Sequence, residues 1–431
     1  MNVVARARDV AFACVLVAGA TFACNQIVGV TEVKLKRDRN DAGEVVGDDD
    51  DDDNTTPPPP VDGATQENKL TVVLGEAHTC ARKTDGTVKC WGDDSQGQTG
   101  TLGAAADATT SVVATPAAVT SITDARAIAA GRVHTCVAHV SGKLSCWGYN
   151  LDGQLGNGKS GDRSPAPVEV AGGITNAFAV AAGGNFSCAL RGAGSVVCWG
   201  GNGSGQLGSG DTSPSLTPRA VAGLSGIERI SAGQAHVCVV RGEDGKVLCW
   251  GEGGNGQLGN GKTQGSFEPV EVASLPKAVA VSAGERSTCA LTETGSVLCW
   301  GANEVGQLGS GAANTNPNPS PISVADLRDA VAIASGRNHT CAVRTGGQVV
   351  CWGEGKAGQL GDDVQRDAGT AVPRSVPVAR LADGFRIGAG AEHTCATTTS
   401  DAITCWGAGD RGQLGNGQAV GTRAPVAVTG L

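Results

Sequence analysis

His134-Thr135-Cys136-Val137-Ala138-His139-Val140-Ser141-Gly142-Lys143-Leu144-Ser145-Cys146-Trp147-Gly148-Tyr149-Asn150-Leu151-Asp152-Gly153-Gln154-Leu155-Gly156 decides the fold, because it recurs along the chain. All seven tryptophans follow a cysteine and precede a glycine: Cys90-Trp91, Cys146-Trp147, Cys198-Trp199, Cys249-Trp250, Cys299-Trp300, Cys351-Trp352 and Cys405-Trp406. Successive tryptophans are 56, 52, 51, 50, 52 and 54 residues apart. A second cysteine precedes each one, at Cys80, Cys136, Cys188, Cys238, Cys289, Cys341 and Cys395, and a glycine-rich segment such as Gly306-Gln307-Leu308-Gly309-Ser310-Gly311 follows. Between repeats run a Pro-Val-x-Val strand, as in Pro167-Val168-Glu169-Val170, and a small-residue strand such as Ala127-Ile128-Ala129-Ala130-Gly131. About four short β segments per unit, at a period near 50, are the pattern of a propeller blade. The expected fold is all-β: a seven-bladed β-propeller with four-stranded blades over residues 70–431.

Composition agrees. The 431 residues include 66 glycines but only seven Trp, six Phe and one Tyr. The glycines have no three-residue period, which excludes collagen, and 17% charged residues with scarce leucine exclude a coiled coil. The formal net charge of −9 is unevenly placed. Residues 25–69 hold 12 acids and 5 bases, whereas residues 70–431 hold 29 acids and 26 bases. The repeat body lacks the basic excess that nucleic-acid binding requires, so no nucleic-acid partner is expected.

The unit Gly-x-x-His-Thr-Cys-Ala-x-x-x-x-Gly-x-Val-x-Cys-Trp-Gly-x-x-x-x-Gly-Gln-Leu-Gly resembles the regulator-of-chromosome-condensation repeat, seven times over residues 70–431. That resemblance implies a seven-bladed propeller. It implies a family whose members include nuclear nucleotide-exchange factors and a secreted bacterial inhibitor of β-lactamases. Two cysteines per blade depart from the family pattern.

The cysteines of each repeat are ten residues apart, eleven in the fourth, where the extra residue falls in the turn Gly242-Glu243-Asp244-Gly245. An insertion absorbed by the turn leaves the two cysteines facing each other across a hairpin, at a separation of roughly 4.5–5.5 Å that suits a disulfide. The expected pairs are Cys80–Cys90, Cys136–Cys146, Cys188–Cys198, Cys238–Cys249, Cys289–Cys299, Cys341–Cys351 and Cys395–Cys405. A zinc site built on His78, Cys80 and Cys90 is the competing reading. A structural zinc wants four ligands, and Phe186 and Ser287 occupy the histidine slot in the third and fifth repeats, so no metal and no cofactor are expected.

Upstream, Arg6 and Arg8 precede an apolar stretch from Val10 to Ala23 of signal-peptide size. Gly19-Ala20-Thr21-Phe22-Ala23-Cys24 looks like a bacterial lipobox, with Cys24 as the lipid attachment point. Residues 1–24 are therefore expected to be a lipoprotein signal and 25–69 an acidic, proline-rich tether, with Asp48 to Asp53 and Pro57 to Pro60 keeping it extended. The expected location is the outer membrane, cell surface or periplasm, held to the membrane by lipid alone, with secretion as the outcome if the lipobox fails.

Several motifs imitate catalysis. Gly153 to Ser160 and Gly256 to Thr263 match a phosphate-binding loop, and Gly251 to Gly256 mimics a dinucleotide fingerprint. Each leads into a strand-like Pro-Val segment rather than the helix such loops need. Five histidines, His78, His134, His236, His339 and His393, fall in one repeat slot and read as structural, bonding turn backbone. His139 alone is off-pattern, and no Ser–His–Asp arrangement stands apart from the repeat. The chain is accordingly not expected to be an enzyme.

The expected function is a monomeric binding module for an envelope or extracellular protein or glycan, with a polysaccharide-active enzyme or a passive envelope component as alternatives. The two positions after the strand-ending glycine vary most between repeats, as does the position after Trp-Gly. They supply the candidate binding ring: Glu76, Arg132, Tyr149, Gln234, Glu252, Arg286, Arg337, Glu354 and Glu392. Ring closure is expected from residues 425–431, as a Pro-Val-x-Val strand added to the blade that holds Cys80 and Trp91. Each such strand is read as belonging with the hairpin that follows it.

Overall fold

The computed structural model describes residues 69–101 and 111–431. The signal-like segment, Cys24 and the tether through residue 68 lie outside the described residues.

In the first blade, β1 (Thr71–Leu74), β2 (His78–Arg82), β3 (Val88–Asp93) and β4 (Val112–Ala118) hydrogen-bond in that order as one antiparallel sheet. Six further four-stranded sheets repeat the order, giving a seven-bladed β-propeller. The small-residue segments are the inner strands: Ala125–Ala130, Ala177–Ala182, Ile227–Ala232, Ala278–Ala283, Ala330–Ser335 and Gly384–Ala389. Seven strands must converge on one axis, and short side chains let them do so. Their ends, from Leu74 to Ala389, enclose an axial cavity.

Strand order corrects one expectation. The Pro-Val-x-Val strand closes its own blade rather than opening the next. Cys146 lies opposite Val168, and Cys249 opposite Val270, so each outer strand folds back onto the hairpin that precedes it. Sequence order cannot separate the two registers; antiparallel pairing to the nearer strand does.

Each cysteine pair is a cross-strand pair, Cys80 opposite Cys90 and so on through Cys395 opposite Cys405. The seven bonds are those expected, with Cα separations of 4.0 to 4.1 Å. The separation is shorter than anticipated and belongs with the closer class of antiparallel pair. All fourteen cysteines are fully buried. Each bond closes a small loop and contributes about 2–3 kcal/mol by constraining the unfolded chain. Digestion of the unreduced protein should yield seven intra-blade disulfide peptides. Interblade linkages or alkylated free thiols at these positions would contradict the geometry.

Adjacent blades are joined by one repeated polar node. Every Trp indole N–H donates to the backbone carbonyl of the Gln in the preceding blade, as Trp147 to Gln98 and Trp406 to Gln359, both at 2.9 Å. In six of the seven interfaces the same carbonyl accepts a Thr or Ser hydroxyl, such as Thr135 to Gln98 at 2.8 Å and Ser187 to Gln154 at 2.9 Å. The repeat-slot histidines then reach that hydroxyl from the preceding blade: His78 to Thr135 at 3.0 Å, His134 to Ser187 at 2.9 Å, and His236, His339 and His393 to Thr288, Thr394 and Thr79. The hydroxyl hydrogen is committed to the carbonyl, so each imidazole donates from Nε2. The histidines are structural, but they bond the next blade rather than turn backbone. Where the third blade has Phe186 in place of histidine, the fourth has Val237 in place of the hydroxyl, and both pack in one apolar cluster. Losing both members leaves no orphaned buried polar group.

The ring closes with this same node. Trp91 and Thr79 of the first blade both donate to Gln413 O at 2.9 Å, and His393 meets Thr79 at 2.9 Å. The last strand, Thr422–Ala427, pairs within the seventh blade, with Cys405 opposite Val426. The expected shared sheet is therefore wrong. Val428 and Leu431 pack beside Leu70, Val72 and Trp91, and Lys89 Nζ donates to Gly430 O at 2.7 Å. The C-terminal residues thus touch the first blade with side chains while their strand bonds elsewhere.

Candidate interaction face

Antiparallel strands alternate in direction, so the first and third connections of every blade emerge at the same end. One end therefore collects seven turns, such as Gly75-Glu76-Ala77, and seven loops that follow Trp-Gly. Backbone bonds tie each turn to its loop: Asp93 N–H to Ala77 O at 2.8 Å, Tyr149 N–H to Val133 O at 3.0 Å, and Glu354 N–H to Asn338 O at 2.8 Å. The glycine after each tryptophan makes this possible, because its φ is 101 to 106° in all seven blades, a left-handed conformation that glycine alone adopts readily.

All nine candidate residues lie at this end. Glu76, Arg132, Gln234 and Arg337 line the axial mouth. Arg286 and Glu392 sit one residue farther out, and Tyr149, Glu252 and Glu354 belong to the loops. The mouth opens into a cavity of about 420 Å³ with walls of Leu74, Ala130, Ala182, Ala232, Ala283, Ser335 and Ala389.

Arg337 spans the mouth. Its guanidinium meets Glu76 of the first blade at 2.8 Å, Glu285 of the fifth at 2.9 Å and Glu392 of the seventh at 3.4 Å. Glu76 also holds Arg132 at 2.8 Å. Arg286 pairs with Glu304 at 3.4 Å, and Asn338 donates to Glu354 at 3.2 Å. A second cleft of about 330 Å³ follows the seam between the seventh and first blades, lined by Glu76, Asp93, Glu392, Asp410 and Arg411 among others. Glu285, Asp93 and Arg411 line the same mouth and cleft but are absent from the candidate ring. Glu285 was legible, since it fills the same repeat slot as Glu76 and Arg337.

Comparison with known proteins agrees with this architecture. Models of the regulator of chromosome condensation (RCC1) repeat match residues 141–190, 193–240, 244–291 and 294–343, and a second RCC1-repeat model matches all seven units between residues 71 and 413. The ultraviolet-B receptor UVR8 of Arabidopsis thaliana is 30% identical over 374 residues, covering 84% of this chain and 82% of the receptor. The chain belongs to the RCC1-repeat family. The human E3 ubiquitin-protein ligase HERC2 is also 30% identical over 80% of this chain, which spans only 7% of that protein. Among solved structures, Prp20p of Saccharomyces cerevisiae superposes with a TM-score of 0.70 at 22% identity, covering 86% of this chain and 90% of Prp20p. Human WBSCR16 superposes with a TM-score of 0.70 at 21% identity, over 80% of this chain and 94% of WBSCR16.

In this RCC1-repeat propeller the phosphate-loop look-alikes are blade joints. Gly153 to Ser160 runs into the strand Ser164–Glu169, and Gly256 to Thr263 into Ser266–Glu271. The amides of Gly158 and Gly261 are spent on Leu216 O and Pro319 O of the next blade, at 2.9 and 2.8 Å. One expectation is overturned at the opposite end. Ser145, His139 and Asp124 do come together, His139 Nδ1 lying 2.6 Å from Asp124 Oδ1 and His139 Nε2 lying 2.9 Å from Ser145 Oγ. The residues are separated along the chain, and only the hairpin and the inter-blade linker join them.

Proposed function

We propose that this RCC1-repeat propeller is an interaction module of the cell envelope, exported and lipid-anchored through Cys24, that binds a protein or glycan through the face around Arg337. The observation that carries the reading is convergence. Fourteen turns and loops meet at one end, and the positions that vary between otherwise alike repeats surround one mouth. Tyr149 adds an aromatic side chain of the type that anchors interfaces. Structural relatives support the mode: Prp20p has binding properties to Gsp1p and histones, and yeast RCC1 has been solved with Kap60 bound. Nucleic acid is not the partner of a body with 29 acids and 26 bases, and the module acts as a monomer.

Full-length protein bearing Tyr149→Ala, Glu252→Lys and Glu354→Lys should lose affinity for its envelope partner roughly tenfold or more, as for truncated interface anchors. Lys246→Glu, on the opposite end of the fourth blade, should leave binding intact. Equal loss from both ends, or no loss from either, would refute the face. Cys24→Ala should abolish acyl labelling, and undiminished labelling would remove the anchor.

A further inference from the structure

We propose that the second blade carries a serine-nucleophile ester-hydrolysing site, made of Ser145, His139 and Asp124, at the end opposite the candidate interaction face. The proposal does not depend on the function assigned to that face.

The contacts have the order that the chemistry needs. Asp124 Oδ1 accepts from His139 Nδ1 at 2.6 Å, which leaves Nε2 of the neutral ring as the acceptor for the Ser145 hydroxyl at 2.9 Å. A nucleophile bonded to a base that is itself oriented by a third group is the signature of an activated serine, recognised by geometry rather than chain order. The framework is braced: Val140 N–H donates to Asp124 O and His139 N–H to Lys143 O, both at 2.9 Å. The His139 side chain is 13% exposed, and that of Asp124 is 49% exposed. Ser145 lies opposite Glu169 on the neighbouring strand, and Glu169 holds the Lys143 ammonium at 3.2 Å. Lys143 lies in the turn just before the strand Leu144–Gly148 that carries Ser145.

The repeat itself singles out this blade. The positions equivalent to Asp124, His139 and Ser145 are Asn176, Arg191 and Val197 in the third blade and Asp329, Arg344 and Val350 in the sixth. Arg344 and Asp329 form an ion pair at 2.9 Å, which brings no nucleophile with it. Fold stability is served by Arg–Asp; the Ser–His–Asp combination occurs once.

Ser145 Oγ attacks the acyl carbon while His139 Nε2 takes the hydroxyl proton. The C–O bond to the alcohol breaks and His139 returns the proton to that alcohol. Water then attacks the acyl-serine, its proton passing through His139 to Ser145 Oγ, and the carboxylic acid leaves. Asp124 is a positioning residue. The site sits at the hairpin end of the blade beside exposed Val140, which fits an ester of a short acyl group carried by a larger molecule.

Full-length protein treated with a fluorophosphonate probe should acquire one adduct on the Ser145 peptide, and it should hydrolyse p-nitrophenyl acetate. Ser145→Ala should abolish the adduct with an unchanged melting temperature. Asp124→Asn should slow labelling roughly 10²-fold, the scale of general-base assistance. Asp329→Asn, which breaks the equivalent ion pair in the sixth blade, should leave labelling unchanged. Absence of the Ser145 adduct, or equal labelling rates in parent and Asp124→Asn, would overturn the site and leave the cluster a structural counterpart of Arg344–Asp329.

Discussion

Gly390→Ala is expected to destabilise the propeller by about 2–3 kcal/mol, the usual cost of forcing a methyl group into a packed site. A Cβ at residue 390 would lie 2.6 Å from Gly75 O, and one at residue 183 would lie 2.6 Å from Gly233 O. The glycines that end the inner strands form a circle in which each packs against the carbonyl of the next. The backbone links blades at the same level: Glu76 N–H donates to Arg132 O and Arg132 N–H to Gly183 O at 3.0 Å, and Ala391 N–H donates to Gly75 O at 3.3 Å. A side chain at any one position must move a strand, and its neighbours have no room to yield. Gly203→Ala serves as the comparison, because nothing lies within 4 Å of its added Cβ. Denaturant titration should separate the two variants clearly. Indistinguishable midpoints would mean that the axial circle tolerates a side chain.

Acid should weaken the propeller well above the pH at which its carboxylates protonate. Burial pushes His134, His236 and His339 down to about 4, and His78 and His393 to about 3, from an ordinary 6.5. Neighbouring imidazoles add a smaller push, His134 on His78, and His78 and His339 on His393. These rings are neutral in the folded chain, while the unfolded chain binds protons below about pH 6.5. The unfolded state therefore gains protons first, and stability falls as pH drops from about 6.5 towards 4, flattening below the folded values. At about 1.4 kcal/mol per pKa unit, each histidine withdraws about 3 kcal/mol by pH 4. The third and fourth blades supply the remedy. His393→Phe with Thr79→Val copies the Phe186–Val237 pair, and should recover about 3 kcal/mol at pH 4 relative to parent. An unfolding free energy that stays level from pH 7 to 4 would refute the assignment.

Reading the repeat as a hairpin with facing cysteines was sound because the spacing, and the turn insertion in the fourth unit, are local features. The outer strand was misassigned for a related reason. A Pro-Val-x-Val segment lies between two hairpins in sequence, and only hydrogen-bond register, Cys146 opposite Val168, tells which one it joins. The same error produced the expected closure by residues 425–431. In the fold no exchanged strand is needed, since Trp91, Thr79 and His393 make at the seventh–first seam the same node that His78, His134, His236 and His339 make at four other seams.

The candidate face was legible as variable positions but not as a network. That Arg337 joins Glu76, Glu285 and Glu392 depends on three different blades meeting at the axis. His139 looked isolated because its partners are 15 residues before and 6 after it, on different elements. What the amino-acid order determined by itself was the blade: its period, its strand number, its disulfide and its turn glycines, all set by interactions within about fifty residues. What only the tertiary structure decided was everything between blades. The Gln carbonyl that receives an indole and a hydroxyl, the circle of glycines, the charged mouth and the Ser145–His139–Asp124 cluster arise where elements distant in sequence are brought within hydrogen-bond reach. Pattern along a chain carries no record of which distant groups will become neighbours.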